Sequence, residues 1–169
     1  MKSAFHARGD GLERLKAATR QLAARPHVKV GVLGEREAAT KKQLRSSAAS
    51  RASIGVVELA TIHEFGAPRA GIPQRSFLRD TADLKREAWL KTAERLVKLI
   101  ARGKLTVERA LGLLGEKASG DVKRRIKSGT GIPPELQPAT IRAKGSSRPL
   151  VDTGRLVNSI SYQVVAPKR

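Results

Sequence analysis

Apolar and polar positions along the chain change their period several times, and each change marks an element. In residues 10–24, Leu12, Leu15, Ala18 and Leu22 recur at helical spacing with Arg and Lys between them. This is the pattern of a short amphipathic helix, which Pro26 stops. Val28-Lys29-Val30-Gly31-Val32-Leu33 then alternates with the two-residue period of a half-buried strand ending at Gly34. Residues 35–53 have no period and are rich in Ala, Ser, Lys and Arg, so they read as a mobile basic insertion or β-hairpin arm. From there the chain turns apolar. Ile54–Val57 reads as a second strand pairing with Val28–Leu33, followed by a short helix from Glu58 to Phe65 with Gly66 just past its end.

The segment Ala67–Arg75 carries Pro68, Gly71 and Pro73 and must be irregular. Ser76 is positioned to cap the longest helix, expected from Phe77 to about Arg102. Its apolar stripe is Phe77/Leu78, Ala82, Ala88/Trp89, Ala93, Leu96/Val97 and Ile100, and Gly103 ends it. Thr106 caps a further helix with the stripe Val107, Leu111, Leu114, Ala118, Val122 and Ile126. Gly112, Gly115 and Gly120 each weaken it by about 1 kcal/mol relative to Ala. They are either tolerated weak points or places where a neighbouring helix comes close, and the helix has an opportunity to break near Gly120. Residues 129–149 form a long irregular loop rich in Pro, Gly and Ser, with room for a helical turn. Asp152 is placed to cap a last short helix, and Ile160–Val164 alternates as a closing strand. The pattern predicts one α+β domain over residues 1–169. A small, mostly antiparallel sheet pairs Val28–Leu33 with Ile160–Val164, and the long helix lies across it.

Charge changes this picture. The chain carries 34 Lys and Arg against 15 Asp and Glu, a net +19. Charge of this size repels identical copies and attracts polyanions or acidic protein surfaces. It is unevenly spread: residues 54–78 hold two of each sign and are neutral, while every other stretch is positive. That neutral, apolar segment is where the tightest packing is expected. The absence of cysteine excludes disulfides and cysteine-based metal sites. No signal-like N-terminus and no membrane-length apolar run occurs, so a protein made in a cytoplasm without membrane contact is expected.

Candidate chemistry is sparse. His63-Glu64 begins an H-E-x-x-H zinc pattern, but the second histidine's place is taken by Ala67. Asp80 and Asp83 could share a magnesium ion on one helix face, yet carboxylates are common near helix N-termini. No nucleotide-binding glycine loop or nucleophile elbow is present, and no spacing singles out a Ser/His/Asp triad. The sequence therefore predicts no enzyme, no metal and no cofactor. Phe65, Phe77 and Trp89 sit in apolar stripes and read as core, which leaves no aromatic platform for bases. Contact with double-stranded DNA would be non-specific, through phosphates, with Lys41, Lys42, Arg45 and Arg51 the first candidates for DNA or an acidic partner.

Three segments taken together are more specific. After the first strand come Ala60-Thr61-Ile62-His63-Glu64-Phe65-Gly66, then Ile72-Pro73-Gln74-Arg75-Ser76-Phe77-Leu78-Arg79. Near the end stands Pro149-Leu150-Val151-Asp152-Thr153-Gly154-Arg155-Leu156-Val157-Asn158-Ser159-Ile160. In order and spacing this resembles the virion-morphogenesis, neck or tail-completion proteins of tailed bacteriophages. Ser76 departs from the usual proline, and the insertion is longer and more basic than the pattern. The resemblance implies a structural subunit in the virion neck, a homo-oligomeric ring between head-connector and tail-tube or terminator proteins, with DNA passing through. The motif residues read as determinants of fold and assembly: Glu64-Phe65-Gly66 ending a helix, Pro73 and Arg75 bracing the loop, Phe77-Leu78 locking the long helix. Asp152-Thr153-Gly154 would cap the last helix. The alternative is a non-specific nucleic-acid-binding protein unrelated to virions, with a nuclease or toxin behind it.

Overall fold

The computed structural model describes residues 3–33, 55–129, 131–145, 147, 149–150 and 154–165. The elements run α1 (Ser3–Ala23), β1 (His27–Val32), α2 (Val56–Phe65), a 3₁₀ turn (Pro68–Ala70), α3 (Leu78–Ala101), α4 (Val107–Ser128), α5 (Pro138–Lys144), α6 (Arg155–Ser159) and β2 (Ile160–Val165). The fold is α+β: β1 and β2 pair in a two-stranded antiparallel sheet, with a long helix packed against it. The basic arm read over residues 35–53, Gly34, Ile54, Asp152 and Thr153 lie outside the described residues.

One expected strand is a helix. Val56 and Val57 begin α2 rather than pairing with β1. Val56, Ala60 and Glu64 are its buried residues. They recur every four positions, which stacks them along one face of the helix. Gly66 closes α2 with φ +76°, and its N–H donates to Ile62 O at 2.7 Å. A Cβ there would stand 2.8 Å from the backbone N of Gln74, so both the backbone angle and the space call for glycine. Gly154 occupies the N-cap position of α6.

The described residues fall into two compact units, and α3, α4, β1 and β2 each contribute to both. In one unit Ala60, Phe77, Val122, Ile126, Ile132, Leu150, Leu156, Val157 and Ile160 form a buried core, with Val32 and Leu78 packed on it. The start of α3 meets the sheet here, Leu78 Cδ1 lying 3.9 Å from where a Cβ of Gly31 would be. In the other unit Leu96, Ile100, Val107 and Ala110 are buried, and Ala18 of α1 packs on them. Leu12, Leu15 and Leu22 remain exposed, so the stripe of α1 is covered only in part. On α3 the sequence stripe holds at Leu96 and Ile100 and fails at Val97, which is half exposed.

The three glycines of α4 separate cleanly. The helix runs unbroken through Gly120. A Cβ on Gly112 or Gly120 would meet nothing within 4 Å. A Cβ on Gly115 would fall 2.5 Å from Tyr162 Cδ2 and 2.6 Å from Val28 Cγ2. Close approach is thus real at one glycine, and the neighbour is the sheet rather than a helix.

Candidate functional site

The first two motifs meet at one carboxylate. Glu64 ends the buried face of α2 and is 4% exposed. Its Oε2 accepts the backbone N–H of Leu78 at 2.9 Å, and its Oε1 accepts that of Arg79 at 3.2 Å. Ser76 Oγ–H donates to Oε1 at 2.6 Å, and Arg79 Nε–H donates to the same oxygen at 3.0 Å. Arg79 also donates from Nη2 to the main-chain O of Glu64 at 3.1 Å. The first turn of α3 has N–H groups without helical partners and a partial positive charge, and both favour an anion at this place. Burial pushes the Glu64 pKa up, but the Ser76 hydroxyl, the Leu78 amide and the side chain and amide of Arg79 outweigh it. The net effect holds Glu64 below its ordinary value and favours the ionised form, in which both oxygens accept.

This corrects the expected cap. Ser76 does not receive the helix N–H groups: its hydroxyl is a donor to the carboxylate that does. The capping residue comes from 14 positions upstream of Leu78, a distance at which sequence offers no capping signal.

Arg75 is buried, its backbone N–H donating to His63 O at 2.7 Å and its Nε to Pro134 O at 3.1 Å. Burial draws its guanidinium pKa below the usual arginine value. It fastens the loop after Gly66 to the segment following α4, a fuller form of the bracing expected of it, whereas Pro73 beside it is exposed. The third motif enters the same unit through its apolar members. Leu156 and Ile160 are buried in the core that holds Phe77, and Ser159 Oγ donates to Leu156 O at 2.8 Å.

Phe65 is not core. It is 61% exposed, and the guanidinium of Arg79 stands over its ring with Cζ 5.0 Å from the centroid. Asp80 on the first turn of α3 faces Arg125, whose Nη2 lies 3.9 Å from Oδ2. No group of three metal-capable side chains occurs among the described residues. No described helix is long and apolar enough to cross a membrane. Lys41, Lys42, Arg45 and Arg51 lie outside the described residues.

No known family model, curated protein or solved structure matches this chain.

Proposed function

We propose that the chain is a structural, non-catalytic subunit of a tailed-phage neck, a ring component that joins or completes head and tail around the DNA passage. The observation that supports it is the joint use of the three motifs. Glu64 of the first caps the helix begun by Leu78 and Arg79 of the second, and Leu156 and Ile160 of the third share a core with Phe77. Residues spent on capping and packing define a body to be fitted against neighbours. The partners in this reading are further copies of the chain, a head-connector protein and a tail-tube or terminator protein. Assembly takes place in the host cytoplasm and the product resides in the virion. When the gene is interrupted in the phage that carries it, electron microscopy of lysates should show filled heads and free tails accumulating unjoined. Normal particles in that lysate would overturn the proposal.

A second reading, non-specific binding of double-stranded nucleic acid, is favoured by residues 35–53, where five Lys and Arg stand against two Glu. Binding through phosphates alone weakens steeply with salt. Replacing Lys41 and Lys42 with Gln should reduce the slope of log affinity against log salt by up to about two. An unchanged slope would remove these lysines from the contact.

A further inference from the structure

One face of α2 is left exposed. Exposure on this helix falls on Glu58, Thr61 and Phe65, a single stripe opposite the buried Val56, Ala60 and Glu64. The stripe has an acid at one end and an aromatic at the other, with the guanidinium of Arg79 held over that ring. Arg79 is fixed from inside through Nε and Nη2, which leaves the Nη1 donors for another acceptor. Its side chain is 54% exposed.

These positions are symmetric along the helix. Glu58 and Phe65 stand equally far from the midpoint between Thr61 and Ile62, about 5 Å on either side at the helical rise per residue. Two such helices laid antiparallel across that midpoint bring Glu58 of each against Phe65 and Arg79 of the other. An acid then faces a pre-positioned cation at both ends, and the small Thr61 at the centre permits close approach. This is the self-complementarity that a two-fold contact requires.

Charge selects the occupant. A chain of net +19 repels its copies over most of its surface, but residues 54–78 are neutral, so here two copies can touch at least electrostatic cost. The same neutrality makes this face a poor landing place for a polyanion. The stripe is also preorganised. Ala67 and Ile72 exchange N–H···O bonds of 2.8 and 3.1 Å, and Arg75 ties the following loop to His63 O, so little ordering remains to be done on contact.

We infer that α2 mediates a two-fold association of this chain, Glu58 and Thr61 of one copy packing against Phe65 and Arg79 of the other. The inference does not rest on the neck reading and would hold for a nucleic-acid-binding protein equally well. Its test uses the full chain, which has no cysteine to confuse the result. Thr61→Cys places a thiol at the two-fold axis, and Glu94→Cys, on an exposed position of α3, is the control. Under mild oxidation or with a short bis-maleimide, Thr61→Cys should cross-link into dimers and Glu94→Cys should not. Adding Glu58→Lys, which sets a lysine against the other copy's Arg79, should suppress the cross-link. Phe65→Ala should do the same, and both changes lie on the exposed face and leave the core intact. Sedimentation should show the cysteine-free chain associating more tightly as salt screens the overall repulsion, and Glu58→Lys weakening that association at least about tenfold. Cross-linking of Thr61→Cys no faster than the control, or unaffected by both added changes, overturns the inference. A chain that stays monomeric throughout, while losing DNA binding on Phe65→Ala, also overturns it and assigns the face to nucleic acid.

Discussion

Replacing Glu64 with alanine is expected to cost about 2–4 kcal/mol, a large share of the roughly 5–15 kcal/mol that holds a typical domain folded. The change removes the acceptor for the Leu78 and Arg79 amides, the Ser76 hydroxyl and the Arg79 guanidinium together. Loss of an ordinary cap costs about 0.5–2 kcal/mol, and hydrogen bonds to a charged group contribute about 1.5–3 each. The sum is less than additive because the amides regain water once the site opens. Glu64→Gln, which keeps one acceptor oxygen and loses the charge, should fall between wild type and alanine. The pH dependence carries the same signature. The folded-state pKa lies below the ordinary 4.5, so this contribution is complete above about that pH. It is lost as pH falls through the lower folded value. The stability gap between wild type and Glu64→Gln should therefore be widest above pH 4.5 and close on acidification. Thermal unfolding followed by circular dichroism across that range measures it. A gap that does not change with pH would mean that the carboxylate's charge is irrelevant to the cap.

Substituting the three glycines of α4 one at a time by alanine should divide them by sign. Gly112→Ala and Gly120→Ala add helix propensity without meeting any atom and should each stabilise by about 0.5–1 kcal/mol. Gly115→Ala gains the same propensity but drives a methyl to within 2.5 Å of the Tyr162 ring and 2.6 Å of Val28. Overpacking of this kind typically costs about 1–3 kcal/mol, so the net effect should be destabilising. The atoms met are the Cγ and Cδ2 of the ring and a branched methyl, none of them the far end of a flexible chain. Tyr162→Ala combined with Gly115→Ala should recover part of the loss. Trp89, the only tryptophan, lies in the same unit as Gly115, Tyr162 and Val28, so its fluorescence during denaturant unfolding reports on this packing. Three glycines behaving alike would show that the sheet yields at Gly115.

What the sequence determined by itself was whatever short-range physics writes into it. The two-residue alternation at Val28–Leu33 and Ile160–Val164 corresponds to the two strands, one residue earlier at β1 and one longer at β2. The Thr106 cap is present, Arg109 N–H donating to Thr106 Oγ1 at 3.2 Å, and the long stripe of α4 runs as one helix. The α+β class followed because two alternating strands need a cover and only long amphipathic helices could supply it. The sequence failed where an apolar run was too short to show its period: Ile54–Val57 reads as a strand, yet its described residues Val56 and Val57 begin the helix α2. It failed again at Phe65, where apolar character suggested core and the fold turned the ring outward beneath Arg79. Only the tertiary structure decided the rest. Which glycine is indispensable depends on what lies across from it, and Tyr162 is 47 positions away from Gly115. That Glu64 caps α3 depends on a turn at Gly66 and a loop fastened by Arg75, which together carry a helix end to a helix beginning. Local sequence sets the period and the punctuation; which side chain meets which backbone amide is fixed only when the chain folds back on itself.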